Sequence, residues 1–543
     1  MAEKNLTASK NQGLVLAIAL LALLVPVIAI EAQVMGFTKG YFIYPVDDAF
    51  IHMQVARNLA EHGNWGINPH EFGSASSSLL YTVLLALLFK IFSVSHIIPF
   101  LINIAAAIFL IVVMSRWMQK QNLKPAAQIF ILLLVIFLTP LPILVISGME
   151  HTLQCLFSFL FLFSTADWIE RNRNVDKEKW RLPISLPVYG MLVTAIRYEG
   201  LFLVAGVCLV LVYFRKISLA FQLGLISVLP VLAFGIYSVS KGSYFLPNSV
   251  LIKSEEVPLF GAGVAHFLQT IFVEKLTLAK AGITAMATQR LLLILPIAAL
   301  LLWLKPLQQR VSFGILLFVL TLTTFLHLAL ASTGKFYRYE AYLILCSVLL
   351  TGTIAANYSK FYVGRKWNAA WFFGAVLILF LFLPLLLRSS AAFSKASRAC
   401  INIYEQQYQM GQFLKTYDPS AVVAANDIGA VAFYTRDTIV DLWGLGSIEI
   451  ARSRKNHQWN PAFLDSVCRK KNARLAIIYD SWFNHGFDNR WHKLATWQIP
   501  DNVVCGDDVV SFYAIDSTII STMKKNLIEY QQHLPSEVTV KYY

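Results

Sequence analysis

The sequence predicts a polytopic α-helical membrane protein with a small soluble α/β domain at its C-terminal end. Three observations predict it. Of 543 residues, 57% are hydrophobic and 14% charged, whereas soluble domains carry about 25% charged residues. Apolar runs of bilayer-spanning length recur between residues 14 and 387. From about residue 389 the composition turns polar, and short strand-like runs alternate with helical spacing. The net charge of +14 does not call for a nucleic-acid partner. The Lys and Arg residues lie between apolar runs, where the positive-inside rule places them in cytoplasmic loops. None of the six cysteines has CxxC spacing, so no zinc or redox motif is present.

Taken in order, the run Leu14–Ala32 is the first predicted span and leaves the cell interior. The stretch Asp47-Asp48-Ala49-Phe50-Ile51-His52 then lies outside. Phe50, Ile51, Val55, Leu59 and Ala60 recur at helical spacing, which predicts an amphipathic surface helix over 48–61. Gly63, Gly66, Asn68-Pro69 and Gly73 break the chain, and Ser76-Ser77-Ser78 precedes the run Leu79–Phe92. That run is short for a span. Laid in the outer interface, it leaves Arg116, Lys120, Lys124 and the basic loop 171–181 on the inside. Spans follow over 97–118, 126–146, 152–169, 217–239, 291–304, 311–330, 342–356 and 371–387, with a short hairpin of 183–196 and 201–214. That is about eleven spans. The division is a membrane domain over 1–388, with a first outer loop over 36–96 and a long one over 240–289, and a soluble domain over 389–543. In the soluble part 422–425, 438–441 and 475–479 read as strands. Residues 427–434, 463–471 and 517–533 read as helices.

The candidate site residues lie on the outer side. Asp47 and Asp48 suit a helix N-terminus, but one acid suffices for a cap. Two adjacent carboxylates at a membrane surface suggest a base that takes a proton from an acceptor hydroxyl. His52 lies one turn after Asp48, on the same face. Glu150, at the outer end of a span, reads either as an acid favoured by a helix dipole or as a second carboxylate orienting substrate. Arg197 and Glu199, at the tip of the short hairpin, read either as an intramembrane ion pair or as a phosphate site, since a guanidinium donates in pairs. Asn248 and Lys253 follow a span, and Arg338 and Glu340 precede one. Taken singly, such groups are interfacial anchors. Arg57, Arg197, Lys253 and Arg338 together supply cations on the side that holds the acids, as a phosphate leaving group beside a base requires. No Walker loop, HExxH or GxSxG pattern occurs.

The segments Asp47–Ile51, Ala56–Gly63, Asn68-Pro69 and Ser76–Leu80 resemble the first outer loop of GT-C glycosyltransferases. Ser147–Glu150, Arg197–Gly200, Leu246–Ser249 and Arg338–Glu340 are similar to later motifs of the bacterial branch of that superfamily. Ala425–Ala430 and Asp441–Leu445 resemble its C-terminal periplasmic domain. Relatives include aminoarabinose transferases, protein O-mannosyltransferases and mycobacterial arabinofuranosyltransferases. The resemblance implies a polyprenyl-phosphate-linked sugar as donor. It also implies transfer on the periplasmic face of a bacterial inner membrane, to an envelope glycan, glycolipid or protein acceptor. It puts the base on Asp47, with Asp48 beside it. The cations would stabilise the departing lipid phosphate in the same outward pocket. It implies no cofactor, with a divalent metal left open. Where the branch carries a Thr-Ser/Asn-Pro-Leu element, this chain has Ser76-Ser77-Ser78-Leu79 without proline. The alternative function is a lipid-linked sugar flippase, which calls for ionisable groups at the bilayer midplane and paired broken helices.

Overall fold

Apolar runs become helices here because hydrocarbon offers no partner for backbone N–H and C=O groups, so each segment must bond its own. The computed structural model describes residues 2–175, 179–253, 283–303, 310–359, 369–418, 421–435, 437–483 and 486–543. The chain is mostly helical, with a sheet near the C-terminal end. Six described helices are long and apolar enough to cross a membrane: Asn11–Phe37, Ile98–Lys120, His151–Asn172, Ile217–Ser240, Val311–Leu330 and Leu379–Tyr417. Shorter apolar helices include Leu79–Phe92, Pro125–Leu138, Ser185–Ile196 and Gly200–Tyr213.

Two segments differ from the sequence reading. The run 126–146 is two helices, Pro125–Leu138 and Leu141–Ile146. Pro140 lies between them and has no N–H to continue the ladder. The last apolar run does not stop at 387. It continues as one helix, Ala369–Ile403, then a π-helical turn, Tyr404–Tyr408, then Gln409–Tyr417. Arg388 and Ser389 lie inside this helix, buried, and their side chains bond to carbonyl oxygens of Leu138 and Phe137. Polar residues with such partners do not end a helix.

The described residues form two compact units. One comprises Met1–Ala29, Phe100–Leu232 and Ser254–Phe393; the other comprises Ile30–Pro99, Ala233–Lys253 and Ser394–Tyr543. The first is a set of packed helices. The second contains the surface helix Asp47–His62, the helix Leu79–Phe92 and the sheet.

The sheet has strands β1 (Val422–Ala425), β2 (Thr438–Asp441), β3 (Leu475–Ile478), β4 (His492–Gln498), β5 (Val509–Ala514) and β6 (Thr539–Tyr542), in the order β2-β1-β3-β5-β4-β6. β1 pairs with β2 and β3 in parallel, and the remaining pairs are antiparallel. The parallel half matches the predicted strands. The antiparallel half was not predicted: the ladder of β4 shifts register between Lys493 and Ala495, which blurs the alternation of its sequence. The predicted closing helix 517–533 is a helix only over Ile520–Tyr530, with a 3-10 turn at each end.

The core of this unit joins the surface helix to the sheet: Ile51, Val55, Trp65 and Ile67 pack in one cluster with Phe413, Val431, Trp497, Phe512 and Tyr530. Trp497 is wholly buried, 4.4 Å from the Phe512 ring and stacked at 5.8 Å on Tyr530. Trp497→Ala is expected to cost about 3–5 kcal/mol of stability, read as a lowered denaturation midpoint of the full chain in detergent.

Candidate functional site

Val46 occupies the N-cap of the surface helix, and Asp47 and Asp48 fill its first turn. There the helix dipole favours acids. Asp47 also reaches the start of a second helix, Gly429–Thr435. Its Oδ2 accepts the Gly429 N–H and its Oδ1 the Ala430 N–H, each at 2.7 Å. A Cβ on Gly429 would stand 2.5 Å from Asp47 Oδ2, so this approach requires glycine.

The Asp427 carboxyl is the acidic neighbour of the Asp47 carboxyl. Asp427 Oδ2 accepts from Gln407 Nε2 at 2.9 Å, and the Tyr479 hydroxyl lies 3.2 Å from it. The same hydroxyl lies 2.8 Å from Gln406 Oε1, and its single proton serves one of the two. Gln406 and Gln407 sit in the π-helical turn, a feature frequent at functional sites. Burial pushes the Asp47 carboxyl well above the usual carboxylate range, and Asp427 pushes the same way. The two amide donors pull it back only in part. Asp48, beside it, is half-buried.

Other predicted residues of this unit hold its frame. His52 Nδ1 lies 2.9 Å from Ser76 Oγ, which fixes the surface helix to the serine stretch. Arg57 donates to Gln54 Oε1 at 3.0 Å and to the Phe433 carbonyl at 2.9 Å, with its guanidinium 4.2 Å over the Phe433 ring. Asn68 exchanges both bonds with the Ile439 backbone, at 3.0 and 2.9 Å, as a neighbouring strand would. The backbone N–H of Asn248 donates to Ser74 Oγ at 3.0 Å, while its buried side-chain amide has no partner among the described residues. Lys253 ends the short helix Asn248–Lys253. Its side chain and the rest of the predicted outer loop, up to residue 282, lie outside the described residues.

The helical unit holds a second polar cluster, buried among apolar helices. Arg197 meets Glu199 through a fork, Nε to Oε2 at 3.1 Å and Nη2 to Oε1 at 2.6 Å, and meets Glu150 Oε1 through Nη1 at 2.9 Å. Its guanidinium also lies 4.9 Å over the Tyr339 ring, and His151 stacks with that ring at 5.7 Å. Burial disfavours the Glu199 charge, but Arg197 outweighs it and holds this carboxyl below its usual range. Glu340 Oε1 accepts from Arg388 Nε at 2.7 Å and its Oε2 from the Gly334 N–H at 2.8 Å. Arg338 lies 5.3 Å over the Tyr339 ring.

The structure thus gathers Glu150, Arg197, Glu199, Arg338 and Glu340 into one unit, and Asp47, Asp48, His52, Arg57 and Asn248 into the other. Sequence reasoning gave no role to Asp427, Gly429, Gln407, Tyr479 or Arg388. A charge at Arg388, at the end of an apolar run, was a usable signal. Nothing local marked Asp427 or Gln407. Among the described residues no group of three or more His, Cys, Asp or Glu side chains is placed to hold a metal ion.

A family model described as a domain of unknown function (DUF8728) matches residues 401–513. No curated protein matches the sequence. Among solved structures, the archaeal oligosaccharyltransferase AglB from Archaeoglobus fulgidus, in complex with an inhibitory peptide and a dolichol-phosphate, aligns with a TM-score of 0.52 at 12% identity. The alignment covers 93% of this chain and 74% of that one. The apo form of an Archaeoglobus fulgidus oligosaccharyltransferase aligns with a TM-score of 0.48 at 11% identity, covering 95% and 75%. The likeness to the first is one of fold alone.

Proposed function

We propose that this chain is a multi-pass membrane glycosyltransferase that moves a sugar from a polyprenyl-phosphate carrier to an acceptor hydroxyl. The acceptor is an envelope glycan, glycolipid or protein on the periplasmic face of a bacterial inner membrane. The fold shared with an oligosaccharyltransferase that was solved with a dolichol-phosphate supports the lipid carrier. The observation that carries the reading is the Asp47 carboxyl, half-buried, aligned by two amide donors and raised by burial and by the neighbouring Asp427. The topology proposed with it has about eleven spans, with the sheet domain outside.

In the proposed reaction the acceptor oxygen attacks the anomeric carbon. Its proton passes to ionised Asp47, and the carbon–oxygen bond to the phosphate breaks with its electron pair on the phosphate. Cationic side chains stabilise that leaving group. A carboxyl with a raised pKa is a stronger base once ionised. Transfer should therefore rise with pH through a range above that of ordinary carboxylates. Asp427→Asn removes the neighbouring acid, so the rising limb should move to lower pH while the plateau rate falls. Initial rates against pH for both proteins check this; coincident profiles would remove Asp427 from the centre. At the level of the cell, mass analysis of envelope glycans with and without the gene should show the loss of one sugar substituent. Unchanged glycans would count against the reading.

A further inference from the structure

The helix Leu79–Phe92 has two unlike faces. Tyr81, Thr82, Leu85 and Phe89 are buried. The opposite stripe is apolar and open: Val83 is 40% exposed, Leu87 55%, Ile91 68% and Phe92 68%. Steps of four residues place Val83, Leu87 and Ile91 on one continuous face. Lys90, exposed, is the helix's one charged residue. Left to water, such a stripe costs free energy in proportion to its area.

The chain on either side says what covers it. The helix ends five residues (93–97) before Ile98–Lys120, which is long and apolar enough to cross a membrane. Five residues reach at most about 18 Å. Within that link the His96 carbonyl accepts the Tyr44 hydroxyl at 2.5 Å. Tyr44 follows by seven residues (44 minus 37) the end of another such segment, Asn11–Phe37. The C-terminal end of the helix is therefore tied to the ends of two membrane-crossing segments, and the stripe is most exposed towards that end. The helix is too short to cross beside them. Its 14 residues rise about 21 Å, against roughly 30 Å of hydrocarbon.

We infer that the Val83–Leu87–Ile91 face is covered by lipid at the boundary between headgroups and acyl chains, with the helix lying along the membrane surface and not across it. Lys90 extends its ammonium from that depth to the headgroups. The buried face carries this anchorage to the candidate site. Thr82 Oγ1 lies 2.6 Å from Ser76 Oγ, which lies 2.9 Å from His52 Nδ1 on the helix that Asp47 begins. Lipid thereby sets the depth of Asp47. The bearing of that depth on sugar transfer rests on the glycosyltransferase reading; the lipid contact does not.

The test uses the full chain in liposomes of phosphatidylethanolamine and phosphatidylglycerol, and it needs no sugar donor. The lipids carry a photoactivatable diazirine either near the glycerol end of the acyl chain or at its terminal methyl, and adducts are mapped by peptide mass spectrometry. The shallow probe should label Val83, Leu87, Ile91 and Phe92 several-fold more than the deep probe, and Tyr81, Leu85 and Phe89 should stay unlabelled. The helix Ile217–Ser240, with Phe221, Leu225 and Ile236 exposed, should take both probes and serves as the internal standard. Leu87→Glu with Ile91→Glu should lower shallow labelling of the 79–92 peptide several-fold and leave that standard unchanged. Equal labelling of the stripe by both probes would mean that the helix crosses the bilayer. Absence of labelling would mean that water or another protein covers it. Either result overturns the inference. If the double variant does not fold, labelling of the unsubstituted protein decides. Absence of sugar transfer counts against the proposed function and leaves this result untouched.

Discussion

Asp47→Asn is expected to lower the rate of sugar transfer by about 10²–10⁴-fold, the usual contribution of a general base, in a protein that still folds. The amide is nearly isosteric but has no basic oxygen to take the acceptor proton. It also presents an NH2 group where the native carboxylate accepts the Gly429 and Ala430 N–H groups. One of those donors is left unmatched, at a cost of about 1–3 kcal/mol, which is a fraction of an ordinary folding free energy. Gly429→Ala separates the two roles of Asp47. Its methyl group would stand 2.2 Å from the Asp47 carbonyl oxygen and 2.5 Å from its Oδ2, so it displaces the first turn of the surface helix together with the carboxylate without removing the base. Activity should fall with a rising limb still present, moved to higher pH as the amide donors are lost, whereas Asp47→Asn should abolish the rising limb.

Arg388→Ala is expected to cost about 3–5 kcal/mol of stability, because Glu340 is left as an unpaired buried carboxylate. The same change releases the carbonyls of Tyr337 and Leu138 from their donor. Lysine at this position restores charge but not the planar fork that serves three acceptors at once, so Arg388→Lys should recover only part of the loss. Chemical denaturation of the purified chain, followed by tryptophan fluorescence, measures both. A change below about 1 kcal/mol in Arg388→Ala would mean that the pair contributes little to holding the helices together.

The membrane helices were legible in the sequence because hydrocarbon leaves one local solution for a long apolar run. Val311–Leu330 was predicted to the residue. Misjudged boundaries have tertiary causes. The helix through Arg388 reads as ending there, since a charge after an apolar run usually marks an interface. Its partners Glu340, Tyr337 and Leu138, distant in sequence, satisfy it inside the unit. β4 was missed because its bulge disturbs the two-residue period.

The candidate site was legible only by half. The pair Asp47-Asp48 announced itself, as adjacent acids beside an apolar run do. Its counterpart in the soluble tail did not. Asp427 precedes a helix of only seven residues, Gly429–Thr435, and reads locally as an ordinary capping acid. Its pairing with Asp47 spans 380 positions of chain (427 minus 47) and is visible only in three dimensions. Arg197 shows the opposite case. The sequence left open an ion pair or a phosphate site, and the geometry displays the ion pair with Glu199 and Glu150.

The most direct measurement is transfer of labelled sugar from a polyprenyl-phosphate donor by the full-length protein in liposomes, run beside Asp47→Asn. Release of polyprenyl phosphate by the parent, with background release by the variant, is the predicted result. Equal release by both proteins, or none by the parent with any sugar supplied, would contradict a base-assisted glycosyl transfer at Asp47.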